Sequence, residues 1–128
     1  MSKGRRGIKI MVVDDESDVT LFCKVSLEYY GFEVDAFNEP KEALSNFKPN
    51  FYDLVILDIK MPNMDGFELY RKIKENDPNL RTCSLTANER YYEEYREEEY
   101  STLDKELFIH KPIGHEEMIE KIKRLISK

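Results

Sequence analysis

Five short apolar runs recur along the chain, and each is followed by a stretch with helical spacing or helical composition. IKIMVV (8–13), FEVDAF (32–37), YDLVIL (52–57), LRTCSLT (80–86) and LFIH (107–110) all have the length of a strand. Residues 16–30 place Val19, Phe22, Cys23 and Ser26 on one helical face, and Gly31 ends that helix as a C-cap. Pro40 opens a short second helix carrying Ala43, Leu44 and Phe47. Asp65-Gly66-Phe67-Glu68 pairs an acidic cap with a Glu three residues on. The third helix it starts turns Phe67, Tyr70 and Ile73 inward and stops near Asn76-Asp77-Pro78. Residues 88–100 read as a fourth helix by propensity. The last helix repeats Met118, Ile119, Ile122, Leu125 and Ile126 at i, i+1, i+4, i+7 and i+8. Strands alternating with helices predict an α/β fold: a doubly wound, five-stranded parallel sheet covered by five helices on two faces. The alternating FEVDAF suits a sheet edge, and the continuous YDLVIL suits the centre.

At 128 residues, with 41% hydrophobic residues, the chain has the size and the apolar content for one core. A net charge of −6 with 36% charged residues argues against a general nucleic-acid binder, which needs a basic face. It suits a domain that meets proteins or cations, without direct nucleic-acid binding. Cys23 and Cys83 have apolar neighbours and no CxxC spacing, so they are expected to be buried thiols. The basic start MSKGRRG leads into too short an apolar run for a signal peptide or a membrane span. The expectation is a flexible arm over 1–7, a single domain over 8–127, a cytoplasmic location and no membrane insertion.

In a sheet of this kind, ligands bind outside the carboxyl ends of the strands. The first strand ends in Asp14-Asp15, with Glu16 behind them; the third ends in Asp58; the fourth ends in Thr86; the fifth ends in Lys111, before Pro112. The second ends in Asn38, at an edge, and offers nothing distinctive. Singly, each of these residues suits a turn, a cap or a solvated end. Jointly, three carboxylates, a hydroxyl and an ammonium converge on one crevice.

Three crowded carboxylates require either a proton or a cation. Their hard oxygens select a cation such as Mg²⁺, held by one or two carboxylates plus waters and a phosphate oxygen. One carboxylate is then left to attack phosphorus and form an aspartyl phosphate, with Lys111 and Thr86 around the new phosphoryl oxygens. The loop DDESD would repel the bare phosphate of a flavin nucleotide. It also lacks the GxGxxG of a dinucleotide fold. A haloacid-dehalogenase-type phosphatase expects an Asp two residues after its nucleophile, where this chain has Lys60.

VVDDE (12–16), LDIKMPNMDG (57–66), SLTA (84–87) and HKPI (110–113) together resemble the receiver domain of two-component response regulators, over about residues 8–127. The resemblance implies a flavodoxin-like receiver fold with strand order 2-1-3-4-5. It implies that Asp58 accepts a phosphoryl group from a histidine kinase or phosphotransfer protein. Asp15 would ligate Mg²⁺ with Asp58 and the Lys60 backbone carbonyl, and Asp14 would help through water. Thr86 and Lys111 would bind the phosphoryl group, and Phe108 would be the switch aromatic that follows Thr86. Lys60 and Asn88 would tune dephosphorylation. The Lys111–Pro112 bond would be cis. Such a domain is a phosphoacceptor that assists only its own phosphorylation and dephosphorylation. A never-phosphorylated pseudo-receiver acting as an interaction module is the alternative.

The chain departs from the family before its fifth strand, where STLDKEL has no glycine. Its fourth helix, NERYYEEYREEEY, holds four of the eight tyrosines and six glutamates. That composition suits either a solvated acidic helix or a partner surface with aromatic anchors. The resemblance places the signalling face on the fourth helix, the fifth strand and the last helix, towards a downstream protein partner. His110 and His115 are expected in ordinary structural or solvent roles. The last helix is expected to run to the end of the sequence without an output domain behind it. A stand-alone receiver and a piece of a longer regulator both remain open.

Overall fold

The computed structural model describes residues 7–58, 66–86, 108–110 and 114–127. Among these are β1 (Lys9–Val13), α1 (Ser17–Tyr29), β2 (Glu33–Phe37), α2 (Pro40–Asn46) and β3 (Leu54–Asp58). They continue with α3 (Gly66–Asn76), β4 (Arg81–Thr86), β5 (Phe108–His110) and the last helix, α4 (His115–Ser127). The expected helix over 88–100, the Lys111–Pro112 bond and nearly all of the expected arm lie outside the described residues.

The five strands form one parallel sheet in the order β2-β1-β3-β4-β5. Every residue of the central β3, LVILD, is buried, whereas the edge strand β2 alternates exposed and covered positions at its start. Alternation along the strands divides the core in two. Ile10, Val12, Leu54, Ile56, Cys83 and Leu85 face α1 and α4. Met11, Val13, Val55 and Leu57 face the other way, with Ala43 of α2 and Leu69 and Ile73 of α3.

Four of the five apolar residues of α4 are buried, and Ile126 packs against them. In α1 the inward set is Thr20, Cys23, Ser26 and Leu27, with Val19 beside them. Phe22, expected inside, is 37% exposed. One residue is about 100° of helical turn, so Phe22 sits at the margin of a face centred on Cys23. Leu21, Val25 and Tyr29 continue an exposed apolar stripe on the far side. In α3, Leu69 is fully buried beside Ile73, while Tyr70 is only half-buried.

Gly31 closes α1 as expected. Its φ is +94°, its N–H donates to the Glu28 carbonyl at 2.9 Å, and the Phe32 N–H reaches back to the Leu27 carbonyl at 3.1 Å. That pair of bonds is a Schellman motif, which needs the left-handed conformation that glycine adopts without strain. Both cysteines are buried, as expected. Burial pushes the Cys83 thiol up to about 12, with nearby Lys121 opposing the shift and Cys23 adding to it.

Candidate functional site: an acidic strand-end crevice

β1 and β3 are neighbours, and their ladder ends at the Val13–Leu57 pair. Asp14 and Asp58 are the next residue on each strand. Asp58 lies on the same side of the sheet as Leu54 and Ile56. Asp14 is fully buried and Asp58 is 5% exposed, so both carboxylates are held inside the sheet's open end. Buried acids are costly unless other groups meet them.

The backbone holds Asp14 from several sides. Its N–H donates to the Phe37 carbonyl at 3.1 Å, extending the β1–β2 pairing by one step. Its Oδ1 accepts from the Glu16 N–H at 2.9 Å, an Asx turn that bends the chain into α1. Its carbonyl accepts from Asn38 Nδ2 at 2.8 Å. The turn leaves Asp15 and Glu16 exposed at the mouth of the crevice.

Oxygens of Asp14, Asp15 and Glu16 all lie within 4.8 Å of one another. Such an all-carboxylate donor set fits a hard divalent cation. Glu16, rather than Asp58, completes this closest set among the described residues; Asp58 stands on the adjoining strand. Asp14, Asp15 and Glu16 could thus hold a cation from one side, with Asp58 beside them.

Thr86 is the last residue of β4, one step beyond the Asp58–Leu85 pair, so its backbone reaches the same end of the sheet. It is paired with His110 of β5, so the fifth strand ends beside it and leads directly to Lys111. Phe108 is the first residue of β5 and pairs with Ser84. Lys60, Asn88 and Lys111 lie outside the described residues.

Two contributors were not singled out in the sequence. The sequence marks Glu16 only by its place behind the acidic pair. Asn38 stands in the sequence as an undistinguished residue after an edge strand. The β1–β2 register, Val13 against Phe37, is what brings Asn38 beside Asp14. The signal for Asn38 was its position just past an edge strand pairing with the first strand.

A doubly wound parallel sheet of this kind places its ligand crevice outside the carboxyl ends of its strands, and here the first and third strands end there in acidic residues. The chain belongs to the response regulator receiver domain family, whose pattern matches residues 10–123. That is a family of signalling domains of two-component systems. The chain is 30% identical over 120 residues to the response regulator ArlR of Staphylococcus saprophyticus, a match covering 94% of this chain and 53% of that one. Among solved structures, the non-phosphorylated HemR receiver domain from Leptospira biflexa is 30% identical, with a TM-score of 0.81 and coverage of 94% and 95%. The response regulator TrrA from Thermotoga maritima, in complex with Mg(2+)-BeF, is 31% identical with a TM-score of 0.74, covering 92% and 98%. The chain spans about half the length of the curated response regulators it matches, and 7% of the sensor protein EvgS of Escherichia coli.

Proposed function

We propose that this receiver domain is a phosphorylatable switch whose acceptor is Asp58. The observation that carries this reading is the buried Asp58 carboxylate beside buried Asp14 and exposed Asp15 at the open end of the sheet. An Asp58 oxygen attacks phosphorus; the bond from phosphorus to a donor histidine nitrogen breaks, and the departing imidazole recovers a proton. The product is an aspartyl phosphate.

Asp14, Asp15 and Asp58, with the Lys60 carbonyl, would hold Mg²⁺. Bound there, the ion supplies positive charge against the transferring phosphoryl oxygens. Support comes from the gathered carboxylate oxygens of Asp14, Asp15 and Glu16 and from TrrA, which was solved with Mg(2+)-BeF. Thr86 and Lys111 would take up the phosphoryl oxygens on the far side. Phe108 would follow Thr86 as the conformational reporter, and Lys60 and Asn88 would set the lifetime. A phosphoryl group at Asp58 would shift a two-state equilibrium read out on the face of the expected fourth helix, the fifth strand and the last helix.

The phosphodonor would be a histidine kinase or phosphotransfer protein, and the readout a downstream protein partner. The exposed stripe of Leu21, Val25 and Tyr29 lies on α1, the helix that follows the acidic turn, and would offer a donor protein apolar area. We assign the folded domain to 8–127, the arm to 1–7 and the location to the cytoplasm. Among the described residues no helix is long and apolar enough to cross a membrane.

The test is incubation of the chain with acetyl phosphate and Mg²⁺, read by intact mass. Wild type should gain one phosphoryl group and Asp58→Asn none. Equal labelling of the two proteins, or no labelling of wild type, would refute the assignment.

A further inference from the structure

Asn38 sits at the carboxyl end of β2, and its side-chain amide makes two hydrogen bonds at once. Nδ2 donates to the Asp14 carbonyl at 2.8 Å and to Thr20 Oγ1 at 3.0 Å. Thr20 is buried in the first turn of α1, and its hydroxyl donates to the Ser17 carbonyl at 3.1 Å. Its one proton is therefore committed, and towards Asn38 it can only accept. A carbonyl also can only accept. Both partners thus require the NH₂ end of the amide, which fixes its orientation and the residue type. An aspartate has the same shape and, when ionised, no hydrogen to offer either partner.

We infer that Asn38 is the positioning residue of the acidic turn: it locks the Asp14–Asp15 peptide to the first turn of α1 and so presets the two carboxylates for a divalent cation. This rests on the reading of Asp14 and Asp15 as cation ligands. The Asp14 carbonyl belongs to the peptide plane from which Asp15 departs. Fixing that oxygen, with the Asp14 N–H already held by Phe37 and Oδ1 by the Glu16 N–H, leaves the turn one arrangement. Without the amide, the peptide can rotate, and the ligands must be ordered when the cation arrives. Residues that orient metal ligands without touching the ion typically contribute about 10- to 100-fold in affinity.

The experiment is Mg²⁺ titration of the full chain by calorimetry, repeated with Mn²⁺ by electron paramagnetic resonance. Wild type is compared with Asn38→Ala, Asn38→Asp and Tyr52→Phe. Tyr52→Phe removes a different bond to β2, the 2.8 Å donation from Tyr52 to Asp35, and serves as the structural comparison. Asn38→Ala should weaken cation binding about tenfold, while Tyr52→Phe stays within about twofold of wild type. Asn38→Asp gives the sharper sign: added negative charge alone would tighten binding, and loss of the clamp weakens it. It also keeps the residue's size should the alanine variant not fold. Wild-type affinity in both Asn38 variants, tighter binding in Asn38→Asp, or equal losses in Asn38→Ala and Tyr52→Phe overturns the inference and leaves the phosphoacceptor reading standing. A wild type that binds neither cation removes both.

Discussion

Asp14 and Asp58 stand side by side, one step past the Val13–Leu57 pair that ends the β1–β3 ladder, and both are buried. Like charges on adjacent strand ends repel, and their separation from water strengthens the repulsion. The fold therefore gathers two buried acids at the place where a cation and a phosphoryl group would be accommodated.

That repulsion should be measurable in melting. In metal-free buffer Asp58→Asn removes one of the two charges and should stabilise the chain by about 1 kcal/mol, raising Tm by about 4 °C. Mg²⁺ at a hundred times its Kd should stabilise wild type by about 2.7 kcal/mol, and Asp58→Asn by less. Calorimetric melting with and without Mg²⁺ checks both. If neither the substitution nor the ion moves Tm, the carboxylates do not share a site.

The buried Cys83 thiol predicts a pH dependence. Its folded-state pKa is raised from 9.0 to about 12, chiefly by burial. Well below pH 9 the thiol is protonated in both states and contributes no slope. Between 9.0 and about 12 the unfolded state loses its proton first, so stability falls as pH rises. Urea midpoints measured from pH 8 to 11 should fall more steeply for wild type than for Cys83→Ala. Tyr52, also raised by burial and by Asp35, gives both proteins the same background. Parallel profiles would contradict the account.

Gly31 isolates backbone strain from packing. A Cβ there would meet nothing within 4 Å, so Gly31→Ala costs only the left-handed conformation at φ +94°. That strain is about 1 kcal/mol, and Gly31→Asn should cost less because Asn tolerates this region better. Urea denaturation of the three proteins gives the order, and an alanine variant as stable as wild type would contradict the Schellman assignment.

How much the sequence disclosed depended on the scale of the interaction. Apolar period and turn residues are local, so the alternating strands and helices were legible, as were the central β3 and the cap at Gly31. Strand ends were legible too, because the parallel sheet collects them at one edge whatever the loops do. The failures came from angle and register. Phe22 and Leu69 are each apolar at a plausible helical spacing, and only the docked orientation of α1 and α3 separates the exposed ring from the buried leucine. Asn38 looked bland because its partners, Asp14 and Thr20, are distant in sequence and meet it only through the β1–β2 register.

The same contrast yields a stability prediction. Leu69→Ala should cost about 3 kcal/mol, as expected for a fully buried leucine. Phe22→Ala should cost under about 1 kcal/mol, because its ring is substantially exposed. Chemical denaturation of the two variants would reverse this order if α1 were rotated to bury Phe22.

The central claim is that Asp58 is the phosphoryl acceptor, and acyl phosphates can be trapped where they form. The chain would be treated with acetyl phosphate and Mg²⁺, reduced with borohydride to convert any aspartyl phosphate to the alcohol, and mapped by peptide mass spectrometry. The account predicts homoserine at position 58 and unmodified Asp14 and Asp15. Reduction at position 14 or 15, or no reduced residue in a protein that binds Mg²⁺, would contradict it.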